Sequence, residues 1–112
     1  MSDLYILDGK TPVRAVSVED WGRWFEDAER HVADLRDGDI RVSTVFLGID
    51  HQWGSGPPKL FETMVFGGPL DGEQNRCSTW EQAEEMHREM ARRVTEAVLR
   101  RREPMTSQEW NG

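Results

Sequence analysis

Two apolar runs of strand-forming residues, 40–49 and 60–66, with a loop rich in Gly and Pro between them, constrain this chain more than any other feature. β-branched and aromatic side chains dominate both runs and suit a pleated, half-buried surface. The intervening segment, 50–59, carries turn signals and no helical periodicity. The two runs are therefore predicted to pair antiparallel as the centre of a sheet. From Val45 onward apolar residues fall on both faces of the first run, so both faces of the sheet need cover.

The flanking segments indicate what supplies it. Leu4 to Leu7 precede Asp8-Gly9 and predict an edge strand and a turn, and 11–16 is extended because Pro12 cannot donate to a ladder. Ser17, ahead of Glu19 and Asp20, is an N-cap for a helix that gathers Trp21, Trp24, Phe25 and Ala28 on one face. Residues 31–36 fit either a continuation of that helix, through Val32 and Leu35, or a strand. The turn Asp37-Gly38-Asp39 favours a hairpin onto residue 40. A second turn cluster, 67–72, leads to a short edge strand over 73–77.

The last element opens with Ser78-Thr79-Trp80-Glu81, read as a Ser-x-x-Glu capping box. Its apolar stripe is Trp80, Ala83, His87, Ala91, Val94 and Val98. Arg100 to Arg102 complement the negative end of the helix dipole, and Pro104 stops the helix. The predicted fold is α+β: an antiparallel four- to five-stranded meander sheet with an N-terminal helix and a long C-terminal helix packed on one face. One domain spans 1–104, and 105–112 is a frayed tail. The uncovered sheet face predicts a homo-oligomer.

Charge and cysteine content narrow the function classes. Lys and Arg number 14 against 21 Asp and Glu, a net charge of −7, which opposes generic nucleic-acid binding. No apolar run approaches the length of a membrane span. Met1-Ser2-Asp3 lacks a secretory start, and the single Cys77 cannot close an internal disulfide, which together point to the cytoplasm.

Residues 42–51, then Gly56-Pro57-Pro58 and Leu60 to Gly68, resemble a family of small proteins encoded by tailed phages and prophages, as do Ser78 to Glu81 with Ala83 and His87. The resemblance covers roughly residues 4–94 and departs at His31, where Arg is expected, and at Cys77, where an aromatic residue is expected. It implies provenance and a shared fold, favours the hairpin reading of 31–36, and transfers no catalytic residue.

Candidate chemistry centres on the 50–58 loop. Asp50 is placed to fix the tautomer of His51, and Trp53 to stack on a flat ligand. Glu62, inside an apolar strand, must face solvent or pair with Arg41 or Arg76. The expected ligand-binding residues are thus Asp50, His51, Trp53, Glu62 and Arg41. The three His residues lack ligand spacing, Cys77 has no His partner, and Gly67-Gly68-Pro69 lacks the Lys of a phosphate loop, so neither metal nor cofactor is expected. The expected function is a non-enzymatic phage-encoded binding protein acting on a host or defence component, either a protein target or a nucleotide-like small ligand. The alternatives are a small hydrolase or transferase using His51 with Asp50 or Glu62, and a virion structural or assembly protein.

Overall fold

The computed structural model describes residues 3–52 and 54–102. In chain order the elements are β1 (Tyr5–Asp8), β2 (Thr11–Arg14), α1 (Val18–Asp27), β3 (His31–Asp37), β4 (Ile40–Phe46), β5 (Phe61–Phe66), β6 (Gln74–Cys77) and α2 (Trp80–Arg102). Trp53, Pro104 and the tail from 105 lie outside the described residues, and with them the expectations for a stacking indole, a proline stop and fraying.

The four strands β3 to β6 form an antiparallel meander in sequence order, as the two central runs predict. Residues 31–37 are a strand, so the hairpin prevails over helical continuation. Ala28 leaves the helix with extended backbone, while its N–H still bonds to Trp24 O. Gly38, with φ +59°, supplies the positive φ that the two-residue turn onto Ile40 requires. The expected first edge strand is instead one arm of a separate hairpin. β1 pairs with β2 alone, and it is tied to the chain beyond β4 by a bridge from Leu4 to Ile49 and by Tyr5 N–H, which donates to Gly48 O at 2.8 Å.

Strand alternation sorts the side chains. Val42, Thr44 and Phe46 of β4 and Phe61, Thr63 and Val65 of β5 point to one face and are fully buried. α2 packs across this face against all four strands of the sheet. Two apolar clusters result. Val42, Val65, Met90 and Val94 form one, and Phe46, Leu60, Phe61 and Ala83 the other, the second closed by Tyr5 and Leu7 of the hairpin and by Trp24 of α1. α1 reaches the same face at its loop end, where Trp24 meets Phe46 edge-on at 5.7 Å between ring centroids.

Local capping follows the sequence with one slip. Ser17 Oγ accepts from Asp20 N at 3.1 Å, as expected of an N-cap. At α2 the box is Thr79-x-x-Gln82, one residue later than Ser78-x-x-Glu81. Thr79 Oγ1 accepts from Gln82 N, and Gln82 Oε1 accepts from both Ser78 N and Thr79 N, each at 3.1 Å. Both frames satisfy the sequence pattern, and the one that forms puts Trp80 at the first helical position, with its ring against Phe61. No helix among the described residues is long and apolar enough to cross a membrane.

Candidate functional site

The loop after β4 is held from within. Asp50 Oδ1 accepts from Gln52 N at 2.8 Å and from Lys59 N at 3.0 Å, so one carboxylate oxygen ties the start of the loop to its end. Gln52 Nε2 adds a bond to Ser55 O at 3.0 Å. His51 donates its backbone N–H to Lys59 O, and its side chain is exposed. Asp50 therefore locks the loop instead of orienting the neighbouring imidazole. The acid–base reading needs His51 within hydrogen-bond reach of Asp50 or Glu62. The structure forms neither contact.

Arg41 and Glu62 lie elsewhere, on the sheet face away from α2. Glu62 Oε2 accepts from Arg76 Nε at 2.9 Å, one of the two pairings its sequence position suggests, and its side chain is 15% exposed. Arg41 bonds through Nε to Asp34 Oδ1 at 2.9 Å. This hydrogen bond holds the Asp34 carboxyl below the usual carboxylate range. Arg41 Nη2 also lies 3.2 Å from His31 Nε2, and His31 Nδ1 lies 3.0 Å from Glu29 Oε1. A guanidinium only donates, so His31 Nε2 must accept and Nδ1 must carry the proton that Glu29 receives. Glu29, His31, Arg41 and Asp34 thus form one chain of contacts along the β3 edge. Sequence spacing could not show it, because cross-strand register brings its members together.

A second polar chain lies inside the core. Thr44 Oγ1 is 2.6 Å from Thr63 Oγ1 and 2.8 Å from His87 Nδ1, between the two apolar clusters. Both threonines are 0% exposed, so no substrate reaches their hydroxyls, and the trio sets where α2 sits along the sheet. Burial pushes the His87 imidazole below its ordinary value, with the Asp34 carboxylate acting in the opposite sense. Because the folded pKa lies below the unfolded one, the unfolded chain binds more protons in the interval between them. Stability due to neutral His87 is therefore whole above 6.5, its unfolded value, and declines as pH drops toward the folded value. Thermal unfolding followed from about pH 8 to about pH 5 should show a falling Tm, and His87→Gln should flatten that slope. Parallel slopes in the two proteins would remove His87 as the source.

The remaining candidates are less developed. Cys77 Sγ donates to Thr79 O at 3.7 Å, and burial pushes the thiol up, which keeps it protonated and a poor nucleophile. It borders a cleft of about 430 Å³ between β6 and α2 that mixes Lys59, Arg76 and Arg93 with Glu85 and Glu89. A narrower crevice of about 110 Å³, lined by Leu35, Ile40, Val94, Val98 and Leu99, runs beside the C-terminal half of α2. Neither is lined by Asp50, His51, Glu62 or Arg41. Among the described residues no three His, Cys, Asp or Glu side chains group as a metal site requires.

No family model, curated protein or solved structure matches this chain.

Proposed function

We propose that this chain is a non-enzymatic binding protein whose recognition surface is the 50–58 loop. One observation carries the reading: the loop is braced by the double acceptor Asp50, while the exposed His51 side chain makes no hydrogen bond or ion pair among the described residues. A loop whose start and end are already tied together loses less conformational entropy on binding, and an exposed imidazole offers ring nitrogens for hydrogen bonding. The net charge of −7 suits a cationic patch on a partner, and α1 presents exposed Glu19, Glu26 and Asp27. The phage provenance that the resemblance implies supports a host or defence protein as that partner.

The test compares immobilised wild type with His51→Ala in a bacterial lysate, with circular dichroism establishing that both are folded. A bound protein that is retained by wild type and reduced about tenfold or more by His51→Ala, a loss of about 1.4 kcal/mol, supports the loop. Equal retention removes it. Thermal shifts with a panel of nucleotides run alongside. A rise in Tm that His51→Ala abolishes would reassign the loop to a nucleotide-like small ligand.

A further inference from the structure

We infer that the cleft between β6 and α2 is a binding site for a small monocarboxylate with an apolar body, whose negative charge is met by Lys59. The inference goes beyond the reading of the 50–58 loop and stands or falls without it.

The cleft follows from the fold. β6 is a four-residue edge strand, and alternation turns Asn75 and Cys77, which pair with the buried Thr63 and Phe61, toward α2. α2 brings Met86 and Met90, four residues apart on one helical face, to the opposite wall. The space between them measures about 430 Å³. That lies within the range of roughly 300–1,000 Å³ common to small-molecule sites. Lys59 enters from the end of the loop on a fixed backbone. Its N–H donates to Asp50 Oδ1 at 3.0 Å, and the next residue, Leu60, donates its N–H to Cys77 O at 2.9 Å. The Lys59 ammonium is near enough to Cys77 to favour its thiolate, against the larger opposing effect of burial.

The balance of donors and acceptors selects the ligand. Lys59, Arg76 and Arg93 line the cleft with Glu85 and Glu89, an excess of one positive charge in a chain that carries −7. Four of these five charges are already paired. Arg76 bonds to Glu62 at 2.9 Å, Arg93 to Glu73 at 2.8 Å and Glu85 to Arg88 at 2.6 Å, while Glu89 is held by both Nε and Nη2 of Arg92. Only Lys59 is left, with no side-chain hydrogen bond or ion pair among the described residues. The neutral groups repeat the pattern. Asn75 Oδ1 accepts from Arg76 N, and Gln82 Oε1 accepts from Ser78 N and Thr79 N, so each amide oxygen is occupied by backbone and each NH2 is unused.

An acceptor with one negative charge completes this set, and a carboxylate is such a group. A phosphate with two charges would meet repulsion from Glu85, 72% exposed at the mouth, and from Glu89. Met86, Met90 and the protonated Cys77 thiol give the rest of the cleft a lining that suits hydrocarbon.

Titration of the 112-residue chain with hexanoate, followed by amide NMR shifts, tests the site. Wild type should bind with a dissociation constant of about 1 mM or below, and methyl hexanoate, which lacks the charge, about tenfold more weakly. Cys77 is the only cysteine and borders the cleft, so its alkylation by iodoacetamide reports on occupancy. Saturating hexanoate should slow that reaction about threefold or more by covering the thiol. Lys59→Met, which keeps an apolar stem and removes the charge, should weaken binding about tenfold. Glu85→Gln, at an exposed position that folding does not need, removes a repelling charge and should tighten binding about twofold; it serves if Lys59→Met does not fold. No binding by about 10 mM hexanoate overturns the inference, as does equal affinity in wild type and both variants. Binding that leaves the Cys77 rate unchanged puts the ligand elsewhere and overturns it too. If inorganic phosphate protects Cys77 and hexanoate does not, the cleft takes another class of anion and the inference is wrong.

Discussion

Replacing Phe46 by Ala is expected to destabilise the fold by about 3–5 kcal/mol, enough to remove most of the stability of a domain of this size. Phe46 is 0% exposed, and its ring sits 5.7 Å from Trp24 and 5.3 Å from Phe61, which in turn meets Trp80 edge-on at 6.2 Å. The ring is the link between α1, the sheet and the start of α2. Its loss leaves a cavity bounded by three elements that cannot close on it together, so relaxation recovers little. In denaturant melts the midpoint should drop while the slope stays constant, and Tm should fall by roughly 15–30 °C. Phe66→Ala is the matched control, because the same side chain on the opposite face is 46% exposed. It should cost less than about 1 kcal/mol. Equal losses at the two positions would mean that the assignment of faces is wrong.

Much of this architecture is legible in the residues, and the parts that are not share a cause. The central strands and both helices follow from patterns confined to one segment: β-branched runs, an aromatic face at helical spacing, Ser17 ahead of two acids. Residues 31–37 are ambiguous because Val32 and Leu35 serve a helix or a strand equally well, and only pairing with β4 decides. The capping box slips from Ser78 to Thr79 because two overlapping frames obey one rule, and Trp80 packing on Phe61 selects between them.

Met90, 3% exposed and central to its cluster, is missing from the predicted stripe, which runs through Ala91 instead. Helical spacing includes Met90, seven residues after Ala83 and four before Val94, whereas Ala91 sits toward the margin of that face.

The candidate site divides in the same way. An Asp beside a His suggests an oriented imidazole, yet Asp is also a residue whose carboxylate bonds to backbone N–H groups nearby in sequence. That local competition wins at Asp50. Glu62 illustrates the reverse: burial within an apolar strand requires a partner, and the partner is one of the two arginines proposed from sequence. The His31–Arg41–Asp34 contacts were hidden because they depend on a bulge and on register, which no local pattern encodes.

Gly67→Ala should be the most damaging substitution outside the core, and a matched glycine shows why. Gly67 has φ +81° and Gly72 has φ +88°, both at turns between β5 and β6, so an L side chain meets similar backbone strain at each, about 1–2 kcal/mol. Their surroundings differ. A Cβ on Gly72 would meet nothing within 4 Å, whereas one on Gly67 would collide with the backbone oxygen of Asp39 at the β3–β4 hairpin tip. The collision cannot be relieved by rotating a side chain. Either the hairpin tip or the β5–β6 turn must move, and the turn is held by Asp71 Oδ1, which accepts from Gly67 N at 2.7 Å. Gly72→Ala should therefore cost about 1–2 kcal/mol, and Gly67→Ala that much again or more, through separation of two hairpins that touch. Urea unfolding of the two variants isolates the difference, which is the contribution of close approach alone. Equal losses would show that the strain at φ accounts for everything and that the hairpin tip does not rest on Gly67.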